Sequence, residues 1–294
     1  MQREQQHQHH QQQHHNHTLR SHPLQLLQGQ HAVTTFKNKH HLASGRTKKL
    51  KSKALVDNDE NNEIKNDEIA DYHDEVLHAT ERYDPSLIIN ADETRLDNTY
   101  ISDTSIHYIG QPAIVNAQTN TTGGHCTTII GATTLSGRKL PLFLVKKGVT
   151  DAIFDSITKH RDLILQAHTS NWVNTDCFLE YLNKAIKPYT NGENACLIID
   201  SSSVHLTDEV MNECDEWNIE LIYVPKNHTA TCQPLDVGVF GPAKSSLKAR
   251  LHKQRIDCDT DLLNFTSTIE QFYQSWHSMS RRTIIKSFKD ACNL

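Results

Sequence analysis

The stretch YVPKNHTATCQPLDVGVFGPAK at Tyr223–Lys244 decides how the chain is read, together with two shorter strings, SLIINADET at Ser86–Thr94 and IIDSSSVH at Ile198–His205. Short apolar runs bounded by turn residues read as buried strands. Two such runs, SLIINADET and CLIID, place Asp92 and Asp200 at strand ends, where open α/β sheets build their sites. Neighbouring strands would bring these carboxylates together. Like charges about 4 Å apart repel by roughly 4 kcal/mol at an effective dielectric near 20, so such a cluster persists only with cations, shared protons or strong hydrogen bonds. Hard oxygen ligands in that arrangement suit Mg²⁺ or Mn²⁺. Taken singly, an aspartate at a strand end more often just opens a turn.

The pattern on either side of these strings gives the order of elements. From Asn66, Ile69, Tyr72, Val76 and Leu77 recur at three- and four-residue steps behind Asp67 and Glu68, which predicts a helix to about Arg82. Asp84 and Pro85 end it. Strands are predicted at Cys126–Thr134 and Leu140–Gly148, joined by SGRK in a hairpin. Thr175–Ile186 puts Phe178, Leu179, Leu182 and Ile186 on one helical face, with Pro188 and Gly192 to stop it. A short helix from Thr207 and Asp208 to about Trp217 separates CLIID from the strand IELIYVP, and Val237–Arg255 reads as helix after an irregular start. Two more helical patterns follow to Leu294. Strands separated by crossover helices run parallel, so the expectation is an α/β fold: a mixed sheet flanked by helices on both faces.

With 294 residues, 36% hydrophobic and 22% charged, the chain can bury one substantial core but not along its whole length. The Gln/His-rich arm from Met1 to about His41 lacks the apolar residues needed to offset ordering entropy and is expected to be disordered. Arg46, Lys48, Lys49, Lys51 and Lys53 form a basic block resembling a nuclear-import signal, which points to the nucleus, and an acidic run from Asp57 to Glu75 follows. The polar N-terminus and the lack of a long apolar run speak against a secretory signal or a membrane span, so a soluble intracellular protein is expected. Seven scattered cysteines without a C-x-x-C pair argue for buried free thiols rather than disulfides or a zinc ribbon. The formal charge of −5 means that any DNA contact must be local.

Taken together, NADET, IIDSSSVH and YVPKNHTATCQPLDVGVFGPAK resemble the catalytic domain of pogo and Tigger-type DDE transposases, with Jerky and centromere-binding-protein-like relatives. That family carries its first acid in D-E-T, its second in D-N-x-x-x-H and its third in Q-P-L-D-x-G, which here are Asp92, Asp200 and Asp236. The resemblance covers about Asn66 to Arg255, and QAHTSNWVNTDCFLEYL fits the family's tryptophan-containing helix start. One position departs: the Asn after the second acid is Ser201. The resemblance implies a ribonuclease H-like fold and a division into a tail over 1–65, a catalytic domain over 66–255 and a helical extension over 256–294. It also implies metal-dependent cleavage and strand transfer on DNA by two Mg²⁺ or Mn²⁺ ions roughly 3.5 to 4 Å apart. Asp92 would bridge the ions, and Asp200 and Asp236 would each complete one.

Glu93, Asp97, Asp208 and Glu209 compete for the third-ligand role, but Glu93 should face away from Asp92 on its strand, and Asp208 and Glu209 read as helix-capping acids. His205 reads as a structural partner in the loop. Lys244, Lys248, Arg250, His252, Lys253 and Arg255 load the last helix of the core with positive charge; Lys244, Lys248, Arg250, Lys253 and Arg255 are the candidates for DNA-backbone contact, and an ordinary solvated face is the competing reading. No set of amphipathic helices before Asn66 could form a helix-turn-helix. A fragment or domesticated, inactive, DNA-associated or protein-binding derivative, a separate targeting partner and a homodimer therefore stay open. A different ribonuclease H-like exonuclease or RNA-hybrid nuclease is the remaining alternative, against which Q-P-L-D-x-G argues.

Overall fold

The computed structural model describes residues 42–46, 59–97, 104–108, 126–258 and 265–294. The Gln/His arm and Lys48, Lys49, Lys51 and Lys53 of the basic block lie outside the described residues. The chain divides into two compact units. In the smaller, Leu42–Arg46, within the expected tail, pairs antiparallel with Thr104–Tyr108, where no strand is expected from sequence.

The larger unit opens with helix α1 (Asp59–Arg82). It starts seven residues before the expected Asn66, because the apolar periodicity that marks it from sequence begins only at Ile69. Then come β1 (Ile88–Asp97), β2 (Cys126–Thr134), β3 (Leu142–Lys147), α2 (Asp151–Ile157), β4 (Leu163–His168) and α3 (Thr175–Tyr181). A π-turn (Leu182–Ile186), α4 (Lys187–Thr190), β5 (Ala195–Asp200), α5 (Asp208–Glu216) and β6 (Ile219–Val224) follow. The chain continues through α6 (Thr229–Cys232), α7 (Pro234–Gly238), α8 (Phe240–Cys258), α9 (Phe265–Ser278) and α10 (Arg281–Cys292). The six strands form one mixed sheet in the order β4-β3-β2-β1-β5-β6. β1, β2 and β3 are antiparallel neighbours, while β3–β4, β1–β5 and β5–β6 run parallel.

Successive strand residues point to opposite faces, and the sheet has a core on each. One face carries Ile88, Ile129, Leu142 and Ile198 against α1 and α7 to α10. The other carries Ile89, Ile130, Phe143 and Leu197 against Phe178, Tyr181, Leu182 and Ile186 of the segment from α3 through the π-turn, and against α5. Pro188 does not stop that segment, contrary to expectation. The Lys187 amide reaches five residues back to the Leu182 carbonyl, and this widened turn admits a residue without an N–H. The left-handed Asn191 (φ 51°) ends the helix instead.

The boundary expected at 255 separates nothing in the packing. Trp276 and Phe288 from α9 and α10 are buried in the same core as Leu142 and Ile129. Lys139 Nζ, in the β2–β3 hairpin, donates to the last carbonyls of α9, those of Trp276 and His277, at 2.9 Å each, and Arg281 Nε donates to the Ser136 carbonyl at 2.6 Å. Sequence periodicity showed these helices but not what their apolar faces covered. Six cysteines are free and buried, as expected, and Cys258 falls where side chains are not described. Among the described residues no helix is long and apolar enough to cross a membrane.

Gly238 lets α7 and α10 approach closely, since a Cβ there would lie 2.6 Å from Ser287 Cβ. Gly238→Ala is expected to lower stability by about 1–3 kcal/mol in urea unfolding, with Ser287→Gly in the same chain recovering part of the loss. Unchanged stability of the single variant would contradict this packing.

Candidate metal centre

β1 and β5 pair in parallel with Ile88 opposite Cys196, Ile89 opposite Leu197 and Asn90 opposite Ile198. The same offset (198 − 90 = 108) sets Asp92 level with Asp200 (200 − 92 = 108). Asp92 is not at the end of its strand, as expected, but is the fifth of ten residues, because pairing with β2 carries β1 on to Asp97 opposite Cys126. Pairing with β5 stops at Asn90, so beyond that point the β5 side of β1 opens, and this is where Asp92 stands. Asp92 has the parity of Ile88 and Leu96, and Glu93 that of Ile89 and Ala91 on the opposite face, as the strand period requires.

Asp236 reaches this place through two buried amides. Asn90 Nδ2 donates to the Ile198 carbonyl at 3.0 Å, and its Oδ1 accepts the Leu235 N–H at 2.9 Å. Gln233 Nε2 donates to the Ala91 carbonyl at 3.0 Å. Pro234 follows in the first turn of α7, where an N–H would lack an intrahelical partner anyway. The start of α7 is thus bolted to β1 beside Asp92, with Asp236 in its first turn.

The carboxylates differ in charge state. Burial pushes Asp92 well above the usual carboxylate range, and Asp236, Glu93 and Asp200 push it further, against the Glu93 amide that donates to its Oδ1 at 2.8 Å. Its Oδ2 is buried without a hydrogen-bond partner. Burial also raises Asp236; Lys244 opposes this and Asp200 adds to it. At Asp200 burial is outweighed by His205 and by Ser202, whose N–H donates to Oδ1 at 3.3 Å, so this carboxyl is held below its ordinary value. At the family's departure, Ser201, the neighbouring carboxylate is supported by Ser202 and His205.

His205 is 1% exposed and lies between two acids. Its Nδ1 is 2.6 Å from Asp200 Oδ1 and its Nε2 is 3.2 Å from Glu93 Oε1. Its ring packs against Phe178 with centroids 4.1 Å apart and planes tilted by 42°, and the Tyr223 hydroxyl donates to its carbonyl at 3.2 Å. Burial disfavours the imidazolium, but the bonds to Asp200 and Glu93 prevail and push its pKa up to about 10, so both ring nitrogens donate. Among the described residues, it is the ligand atoms of Glu93, Asp200 and His205 that lie within 4.8 Å of one another. The set Asp92, Asp200 and Asp236 is more open. Its donor atoms are all carboxylate oxygens, and the unpartnered Oδ2 of Asp92 among them fits a divalent cation, which would lift the repulsion that raises Asp92.

Asp208 and Glu209 lie in the first turn of α5, whose N-cap is Thr207, as capping logic predicts. On α8, Ala243, Leu247 and Leu251 form the buried stripe, Lys248, His252 and Lys253 are exposed, and Lys244 and Arg250 are half-buried. Lys244 acts on Asp236 directly, and the side chains of Arg255 and Asp97 lie outside the described residues. Sequence reasoning missed the anchoring by Asn90 and Gln233 and the pairing of Glu93 with His205. An amide inside an otherwise apolar strand was the available signal for Asn90.

The described family DDE superfamily endonuclease matches residues 124–288. The mouse protein "Pogo transposable element with KRAB domain" (Mus musculus) is 22% identical over 226 residues, which are 72% of this chain and 36% of that protein. The chain thus spans about a third of this curated relative's length. Among solved structures, "Mos1 transposase paired-end complex with left transposon end" superposes with TM-score 0.52 at 17% identity, covering 90% of this chain and 68% of that one. "Crystal structure of the Mos1 mariner paired end complex with Mn" gives TM-score 0.52 at 14% identity, with the same coverage of 90% and 68%. This likeness shows the ribonuclease H-like fold.

Because the Asp92 pKa is raised on folding, metal-free stability is lost as pH rises from the ordinary carboxylate value near 3.9 through the folded one. Asp92→Asn removes the charge and keeps the shape. In urea unfolding with a chelator at pH 7 it is expected to be about 0.5–2 kcal/mol more stable than the parent. A less stable variant would contradict the repulsion described here.

Proposed function

The chain belongs to the DDE superfamily endonuclease family, and from that premise we propose that it is a transposase-derived nuclease core acting on DNA, cutting phosphodiester bonds and transferring strands. Asp92, Asp200 and Asp236 would hold Mg²⁺ or Mn²⁺. The observation that carries the reading is the buried, unpartnered Oδ2 of Asp92, with Asp200 and Asp236 near enough to raise the cost of its charge. The Mn²⁺ of one Mos1 complex and the transposon end of another support the choice of ion and substrate. When bound, such cations supply activation of water or a DNA 3′-hydroxyl and relief of charge on the leaving oxygen.

The chain's own residues prepare the site. His205, charged and pinned by Glu93 and Phe178, keeps Asp200 ionised and fixes the direction of its Oδ1. Asn90 and Gln233 hold α7 so that Asp236 stays beside β1. Lys244 offers positive charge next to Asp236, and Lys248, one turn on along α8, continues it on the same face, while Arg250 and Lys253 lie on other faces of the helix; a phosphate backbone held there releases counterions without being read for sequence. The basic block at Arg46–Lys53 supports a nuclear location.

A second reading, a DNA-associated derivative that no longer cuts, is favoured by one observation. Among the described residues the ligand atoms of Glu93, Asp200 and His205 lie within 4.8 Å of one another, and there His205 already binds the oxygen that a cation would need. Nicking of transposon-end DNA separates the two readings. With Mg²⁺ or Mn²⁺ the parent is expected to nick, and Asp92→Ala, Asp200→Ala or Asp236→Ala to lose at least about 100-fold in rate; cleavage that survives Asp92→Ala refutes the assignment, and a parent without cleavage selects the second reading. Lys248→Ala is expected to lower the slope of log affinity against log salt by about 1. An unchanged slope removes that residue from the backbone contact.

A further inference from the structure

Trp172, at 67%, is the most exposed of the large apolar side chains among the described residues. The loop that presents it is held firmly. Asn171 is buried, its carbonyl accepting the Thr128 hydroxyl at 2.6 Å and its Oδ1 the Lys147 N–H at 2.8 Å. Ser170 Oγ lies 3.2 Å from both the N–H and the carbonyl of Trp172. Two residues on, Asn174 caps α3 by accepting the Cys177 N–H at 2.9 Å. An indole fixed between such anchors and left in water forgoes the burial that normally stabilises a large aromatic side chain.

The guanidinium of Arg95 stands over the ring, 5.7 Å from its centroid. Arg95 lies three residues beyond Asp92 on β1, about 10 Å along the strand, or roughly three stacked nucleotides at 3.4 Å each. It has the parity of Glu93, and α3, which begins three residues after Trp172, carries the Phe178 that packs against His205. The aromatic ring and its cation therefore stand on the His205 side of the carboxylates. A flat π surface beside a positive charge matches one class of ligand in particular, an unpaired nucleobase with its phosphate.

We propose that Trp172 and Arg95 form a stacking platform for an unpaired DNA base, with Arg95 three residues along β1 from Asp92 and on the opposite face of the strand from that carboxylate. The inference rests on the reading that the carboxylates face DNA. The platform selects strands with unpaired ends over closed duplex, and it does so without reading sequence, because every base has a π face.

The test is intrinsic fluorescence and anisotropy with the full chain and three probes: a blunt duplex, the same duplex with a three-nucleotide 3′ overhang, and that overhang made abasic. The base-bearing overhang is expected to bind best and to quench indole emission. Trp172→Ala is expected to weaken its binding about 5- to 100-fold and to leave blunt-duplex binding and melting temperature unchanged, with Trp172→Phe retaining part of the preference. Trp276 is buried and Trp217 lies under Lys187 at 4.2 Å, so loss of the quench in Trp172→Phe assigns it. Equal binding of base-bearing and abasic overhangs, or an unaffected Trp172→Ala, overturns the proposal whether or not the chain nicks DNA. A base preference in a chain that does not nick sustains the platform while the cleavage reading fails.

Discussion

Two buried amide side chains hold together what the sequence keeps far apart. Asn90 and Gln233 link β1, β5 and the start of α7 through three hydrogen bonds of 2.9–3.0 Å. In water each would contribute little, because the same groups bond to solvent, but here their loss would leave backbone groups unpaired in a dry interior at about 1–3 kcal/mol each. The position of Asp236 depends on them, and so does the face that α7 offers to α10. Strand register, paired as far as Asn90 and Ile198, points Asp92 and Asp200 along the same stretch of sheet; the third carboxylate is a tertiary product.

The resulting cluster is electrostatically divided. On one face of β1, Asp92 is buried among acids with an oxygen left without a partner. On the other, Glu93 joins Asp200 in holding an imidazolium. The two arrangements share Asp200, which His205 keeps ionised while Asp92 is pushed toward its protonated form. One carboxylate is thus held ionised by an imidazolium, and its neighbour bears the cost of burial among like charges. Stability is given up at Asp92, the trade expected if the proposed site uses it.

Much of this was legible in the sequence, for reasons that particular residues make plain. Ala195–Asp200 and Cys126–Thr134 are apolar runs bounded by turn residues, and both strands form where expected. β4, LILQAH, was overlooked because its six residues include polar Gln166 and His168 at an edge of the sheet, where burial does not enforce an apolar pattern. The same limit misplaced Asp92. Beyond it in β1 the strand pairs only with β2, and Leu96 alone among Glu93, Thr94, Arg95, Leu96 and Asp97 is apolar, so no apolar run marks the continuation to Asp97. The motif positions of Asp92, Asp200 and Asp236 could be read from the family resemblance, and His205 as a structural partner from its loop. The role of Glu93 could not, since it depends on a side chain 112 residues away.

Three aspartates, not Glu93 with His205, are proposed to receive the cation, and anomalous scattering from Mn²⁺ in crystals of the full chain decides between the two sets. Density is expected within about 2.0–2.6 Å of carboxylate oxygens of Asp92 and of Asp200 or Asp236. Density confined to Glu93, Asp200 and His205, with Asp92 and Asp236 left bare, would contradict that assignment.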